Sequence, residues 1–375
     1  MKDYCDAASV QLLDRARHLA SLIPSGLHRD VAALDVACRD RLNEIVDSLK
    51  RVRSDALLSL PQNAALRLRA LRRARWDLDR LEYVAISVLH RWTDTDTKIN
   101  RLADKLAREI QFPLTTPVVA GLSQNYYHTY PDLRLICIPL AEGRFLLHLS
   151  DLYHELAHSL FAFSNDARLD AFQLRWLAVN DAATKYLEGE LRRAGSGFSP
   201  RAFERYIATW LQCWCEWSIE FFCDLFALYA AGPAYAWAHL HLCASSGGGA
   251  CDLPLFTPST HPPDEARMQL LLRGLRRLGF TAEAGAVEAR WQELLRTRDD
   301  QQSAEYQRCF PGELLDECER LAYEAVQTLG CSLARPPLAG DGRKLLNDAW
   351  VEFWNSPDDF ASWERTAADS LLSAP

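Results

Sequence analysis

The 375-residue sequence holds no run of about 18 uncharged apolar residues, so no membrane-spanning helix is expected. Its first stretch, MKDYCDAASVQLLDRARH, lacks the apolar core of a secretory signal peptide. No C-x-x-C pair occurs, which argues against a zinc ribbon and a thioredoxin-like motif. Positive charge is also short. At a net charge of -8, broad nucleic-acid binding is not expected, because it depends on Lys and Arg neutralising phosphates. Internal repeats and low-complexity segments are absent. The 11 cysteines are scattered and odd in number, so they cannot all pair within one chain. The expectation is a reduced, cytoplasmic globular protein.

What is present suffices for a substantial core. The hydrophobic content is 49%, and the length allows two or three domains. Cys38, Leu42, Ile45, Leu49, Val52 and Ala56 alternate spacings of four and three, the pattern of a helix seam. Pro61 interrupts, and a second stripe follows at Leu68, Leu71, Leu78, Leu81, Ala85 and Val88. Arg67, Arg69, Arg72, Arg73 and Arg75 crowd the start of that helix. They read as a solvated face, with contact to nucleic acid or an acidic partner as the competing reading.

The texture changes at QFPLTTPVVAGLSQNYYHTYPDLRLICIPLAEGRF, where LRLICIPL predicts a short strand ended by Pro139. Helical segments are predicted to about Arg193 and, after a GSGFSP break, from about Arg201 to Ala231. A loop, SSGGGACDLPLFTPST, precedes further helices to the end of the sequence. Its glycines and prolines suit a lid or hinge. The expected fold is mainly α (α+β), with a short β-strand or small sheet. It divides into an N-terminal helical region (1–110), a core (111–275) and a C-terminal helical region (276–375).

The chemistry concentrates in SDLYHELAHSLFAF. Residues four apart stack on one helix face, so His154 and His158 can converge on a single ion. Glu155, beside the first histidine, can reach a water on that ion, the division of labour of H-E-x-x-H zinc peptidases. The competing reading is two core histidines held by hydrogen bonds. Apolar surroundings weigh against it, since burying two histidines and a glutamate is costly without partners. His148 and Asp151, off the shared face, read as structural.

A catalytic zinc takes three protein ligands and leaves one position for water. Glu220, in CEWSIEFFCDLFALYAAG, is the candidate third ligand, with Asp224 one turn later to orient a ligand imidazole. Glu216 competes, but Glu220 is preferred because Asp224 follows it by one turn. Trp210, Trp214, Trp217 and Trp237 read as core filling rather than as a substrate cleft.

H-E-x-x-H followed by E-x-x-x-D resembles the gluzincin metallopeptidases, and most nearly the CAAX prenyl protease and HtpX-like branch. That branch carries E-x-x-A-D-x-x-A and a later H-P with an Arg shortly after. Here stand Glu220, Cys223 in place of the first Ala, Asp224 and Ala227, then His261, Pro262 and Arg267. The resemblance covers roughly residues 134–275 and implies a zincin-like core with Zn2+ as cofactor. It also implies an active-site role for His261, in oxyanion stabilisation or substrate binding. Alternatively THPPDEAR simply starts a helix capped by Thr260 or Asp264, with Arg267 in an ion pair. Members of that branch are membrane-embedded and this sequence has no predicted span, so prenyl-protein specificity is not carried over.

The expected function is a zinc-dependent peptidase. His154, His158 and Glu220 hold the metal, Glu155 acts as base, and LRLICIPL offers an edge strand to an extended protein or peptide substrate. The alternative is a helical interaction protein whose zinc site is structural or degenerate. Under either reading the helical flanks suit a regulatory protein partner.

Overall fold

A computed structural model of the chain describes all residues except 27–28, 124–125, 141–144, 163–165, 194–199 and 374–375. The GSGFSP break lies almost wholly outside the described residues. The structure is mainly helical with one small three-stranded sheet. Among the described residues no helix is long and apolar enough to cross a membrane.

The first half of the chain holds α1 (Lys2–Leu22), α2 (Ala32–Ser54), α3 (Ala64–Arg80), α4 (Ser87–Arg91) and α5 (Asp94–Glu109). Strands β1 (Val118–Ser123), β2 (His128–Tyr130) and β3 (Leu135–Pro139) come next. The helices that follow are α6 (Asp151–Ala162), α7 (Ala167–Arg193), α8 (Pro200–Ala231), α9 (Pro233–Ser245) and α10 (Asp264–Leu278). The last are α11 (Thr281–Arg298), α12 (Ala304–Cys309), α13 (Gly312–Thr328), α14 (Asp341–Asn355) and α15 (Phe360–Ser373).

These elements form two compact units: Met1–Leu102 with Pro117–Gly143, and Ala103–Thr116 with Arg144–Pro375. The boundaries differ from the three regions expected from the sequence. The physical reason is the sheet, whose Val118, Ala120, Leu135 and Cys137 are buried in the same core as the N-terminal helices.

In the first unit α1, α2 and α3 pack on one another. The seam residues Cys38, Leu42, Ile45, Leu49 and Val52 are buried, but Ala56 is exposed. The helix stops short of it because the Asp55 carboxylate accepts the N–H groups of Leu57 (2.7 Å) and Leu58 (3.2 Å), a turn that competes with the helical ladder. The second stripe continues from α3 through a π-helical turn over Leu81–Ile86, which brings Leu81, Val84, Ala85 and Ile86 into the core together.

Arg67 departs from the solvated face assigned to its cluster. It is 2% exposed and paired with Asp6, whereas Arg69, Arg72, Arg73 and Arg75 are exposed. LRLICIPL departs too. Strand order is β1-β3-β2, with β1 parallel and β2 antiparallel to β3, so β3 is central and both its edges are taken. The outer edge of β1 is itself occupied by side chains. Asn100 exchanges hydrogen bonds with the backbone of Val119, and Asp96 accepts Gly121 N–H at 2.9 Å.

The second unit is organised around α8, against which α6, α7, α9, α10 and α13 pack. Trp210, Trp214 and Trp217 are buried in its core, as are Phe221, Phe222 and Phe226. Its last carbonyls are capped from α14: Arg343 Nε donates to Ala230 (2.6 Å) and Asn347 to Ala231 (2.8 Å). A cation placed there also opposes the negative end of the helix dipole. Gly274 lets α10 approach closely, since a Cβ at that position would lie 2.5 Å from Leu228 Cδ2.

Candidate metal centre

Helix α6 is buried from Asp151 through Ala157, which carries His154 and Glu155 inside the second unit while His158 stays half-exposed. The His154 and His158 Nε2 atoms lie 3.3 Å apart. Two nitrogens each about 2.0–2.1 Å from a tetrahedral zinc stand about 3.3 Å from one another. Glu220 reaches the same point from α8. Its Oε2 is 3.4 Å from His154 Nε2, and its Oε1 is 3.7 Å from His158 Nε2. Glu220 Oε2 is buried and has no hydrogen-bond donor. Two imidazole nitrogens and an orphaned carboxylate oxygen converging at these distances form a donor set that fits a divalent cation.

Charge states follow from burial and neighbours. Burial opposes charge on His154, but the neighbouring carboxylates of Asp224 and Glu220 raise its pKa to about 10. Burial and the charge of His154 push His158 down to about 4, leaving it the neutral imidazole that metals bind. Burial also penalises the charged form of Glu220, yet His154 beside it holds it ionised, down to about 2. Glu155, desolvated and close to Glu220 and Asp151, is pushed up to about 7. A carboxyl with that value accepts and returns protons at neutral pH.

Behind the donors lies a fully buried carboxylate. Asp224, 0% exposed, accepts from His154 Nδ1 at 2.9 Å and from the Tyr235 hydroxyl at 2.6 Å. Arg267 donates to it through a two-pronged fork, Nε to Oδ2 at 2.7 Å and Nη2 to Oδ1 at 2.6 Å. Burial works against an ionised Asp224, but the Arg267 charge and hydrogen bonds keep its carboxyl well below the usual range. The Nδ1 contact leaves Nε2 as the nitrogen facing His158 and Glu220, the usual outer support of a ligating histidine.

The structure thus brings together His154, Glu155, His158, Glu220 and Asp224. Glu216, the competing ligand, is exposed. His261 stands at the rim: its side chain is 66% exposed, and Nε2 is 3.8 Å from Glu220 Oε2. Neither candidate cap acts on α10, which begins after Pro263 with no side-chain cap. The Thr260 hydroxyl instead lies 3.0 Å from His261 Nδ1. The loop before it, read from sequence as a lid or hinge, is tethered at Ala250 and at Ser259. Ala250 N–H donates to Asp300 (3.1 Å), Glu265 N–H to the Ala250 carbonyl (3.0 Å) and Ser259 N–H to Cys213 Sγ (3.4 Å).

Tyr235 escapes the sequence reading, and Cys223 reads there as core. Tyr235 sits beyond a helix break at Gly232–Pro233, where no periodicity relates it to Asp224. The Cys223 sulfur lies within 4.8 Å of a ring nitrogen of both His154 and His158, although no paired Cys or His spacing marks a thiolate site there and the sequence reads it as a buried core cysteine. Comparison with protein-family models, curated proteins and solved structures finds no match for this chain.

Proposed function

We propose that the protein is a zinc-dependent peptidase. The observation that carries this reading is the convergence of His154 Nε2, His158 Nε2 and the donor-less Glu220 Oε2, with Glu155 buried beside them. In this reading His154, His158 and Glu220 hold the ion. When bound, zinc would supply Lewis acidity, lowering the pKa of a water and polarising the scissile carbonyl. Glu155, poised near neutrality, takes the proton of the attacking water and delivers it to the leaving amine. Asp224, braced by Tyr235 and Arg267, keeps the His154 ring oriented. His261, exposed at the rim, is positioned to contact the substrate carbonyl as its oxygen gains charge. The substrate class is a protein or peptide, the helical flanks are the place for a regulatory partner, and free cysteines throughout suit a cytoplasmic setting.

The test compares peptides released from a host lysate by wild type and Glu155→Gln, with bound zinc measured on both. A loss of about 10²–10⁴-fold in cleavage at unchanged metal content is expected. Equal cleavage by the two proteins would sink the mechanism.

One observation favours the second reading, a helical interaction protein with a structural zinc. A sulfur as near as Cys223 could fill the position left for water and close the site. Cys223→Ala separates the two. Metal retention unchanged fits the peptidase, and loss of metal with it fits the closed structural site.

A further inference from the structure

A second group of metal-binding side chains lies outside the centre described above. His239 and Cys243 are one turn apart on α9, both buried, and Asp264 opens α10 opposite them. One donor atom from each of the three lies within 4.8 Å of the others. His239 Nε2 is 3.7 Å from Cys243 Sγ and 3.4 Å from the Asp264 backbone oxygen. The contact to the Asp264 oxygen is long for a hydrogen bond, because N–H···O pairs prefer about 2.9–3.0 Å. The His239–Cys243 separation is ordinary for two ligands of one ion, since bonds of about 2.0 Å to nitrogen and 2.3 Å to sulfur set tetrahedral neighbours about 3.5 Å apart.

We propose that His239, Cys243 and Asp264 form a second zinc site. The charges balance. The Cys243 thiol gives up its proton on binding, and thiolate and carboxylate together offset the two positive charges of the ion. The nearby cations are already neutralised. Arg267 forks onto Asp224, and Arg298 pairs with Asp300 at 3.3 Å while donating to the Cys243 carbonyl at 2.9 Å. Three protein ligands leave the fourth position of a tetrahedral ion to water. The site joins α9 to α10, the helices that carry Tyr235 and Arg267 to Asp224. It therefore fixes the support of the first centre, but its existence does not depend on the peptidase reading.

The test strips the full chain with a chelator and titrates it with Co2+, following thiolate-to-cobalt charge-transfer absorption. Wild type is expected to take two equivalents, one of them with the thiolate band. Cys243→Ser should lose that band and one equivalent. A His154→Ala/His158→Ala double variant should retain the band, so failure of the peptidase reading leaves this result standing. A titration without a thiolate band, or a band undiminished by Cys243→Ser, overturns the proposal. Should Cys243→Ser fail to fold, Asp264→Asn keeps the side-chain volume. It should weaken cobalt at the thiolate site at least tenfold, and unchanged affinity likewise overturns the proposal.

Discussion

Helix α2 and helix α8 are both long and both packed, yet they bury different things. The buried residues of α2 are Leu34, Cys38, Leu42, Ile45, Leu49 and Val52, and its charges face solvent. α8 buries Trp and Phe rings together with Ser218, Glu220 and Asp224. Packing alone accounts for α2, because each buried group gains by leaving water. It does not account for α8, where ionised carboxylates survive burial only through partners. Asp224 has three partners in hydrogen-bond contact, whereas Glu220 faces imidazole nitrogens with one oxygen lacking a donor. The helix that violates burial rules is the one that carries the candidate metal ligand Glu220.

The difference can be broken by measurement. The largest effect is expected for Asp224→Ala, which strands Arg267 as a buried unpaired charge. Chemical denaturation of the metal-free protein should show a loss of about 3–5 kcal/mol. Leu42→Ala in α2 should cost about 3 kcal/mol through cavity formation and leave metal content unchanged. If Leu42→Ala also depleted zinc, the two helices would not be doing separate jobs. Tyr235→Phe removes one of several hydrogen bonds to Asp224. It should cost about 1 kcal/mol and weaken zinc retention by about tenfold in a competition assay with a chromogenic chelator. No change in retention would show that the Asp224 support runs through Arg267 alone.

The smallest effect belongs to the surface of the first unit. A hydrogen bond from Arg67 holds the Asp6 carboxyl below its ordinary value of 3.8. The folded value is depressed, so the stabilisation is present above 3.8 and is lost as pH falls through the folded value. Asp6→Asn should therefore lower the melting temperature slightly at neutral pH and leave it unchanged in strong acid. A difference that persisted in acid would assign the effect to packing of Arg67 instead.

Much of the helical pattern was legible. The α2 seam, the Leu71–Val88 stripe and the extents of α7 and α8 follow from apolar spacing, because a helix places residues three and four apart on one face whatever surrounds it. The same local geometry put His154 beside His158 and Glu220 beside Asp224. Spacing was silent on what lies opposite a face. It left Arg67 looking like one surface arginine among five and β3 like an exposed edge. The actual environment of each depends on α1 and on strands β1 and β2.

By itself, then, the sequence determined a mainly helical chain and two pairs of side chains presented on two helix faces. Only the tertiary structure decided that those faces meet. It also decided that Tyr235 and Arg267 close on Asp224 from α9 and α10, and that His239 and Cys243 come to lie against Asp264. The physical reason is range. Backbone geometry relates residues within a turn or two, whereas convergence of four helices depends on packing contacts such as the bare face of Gly274 against Leu228.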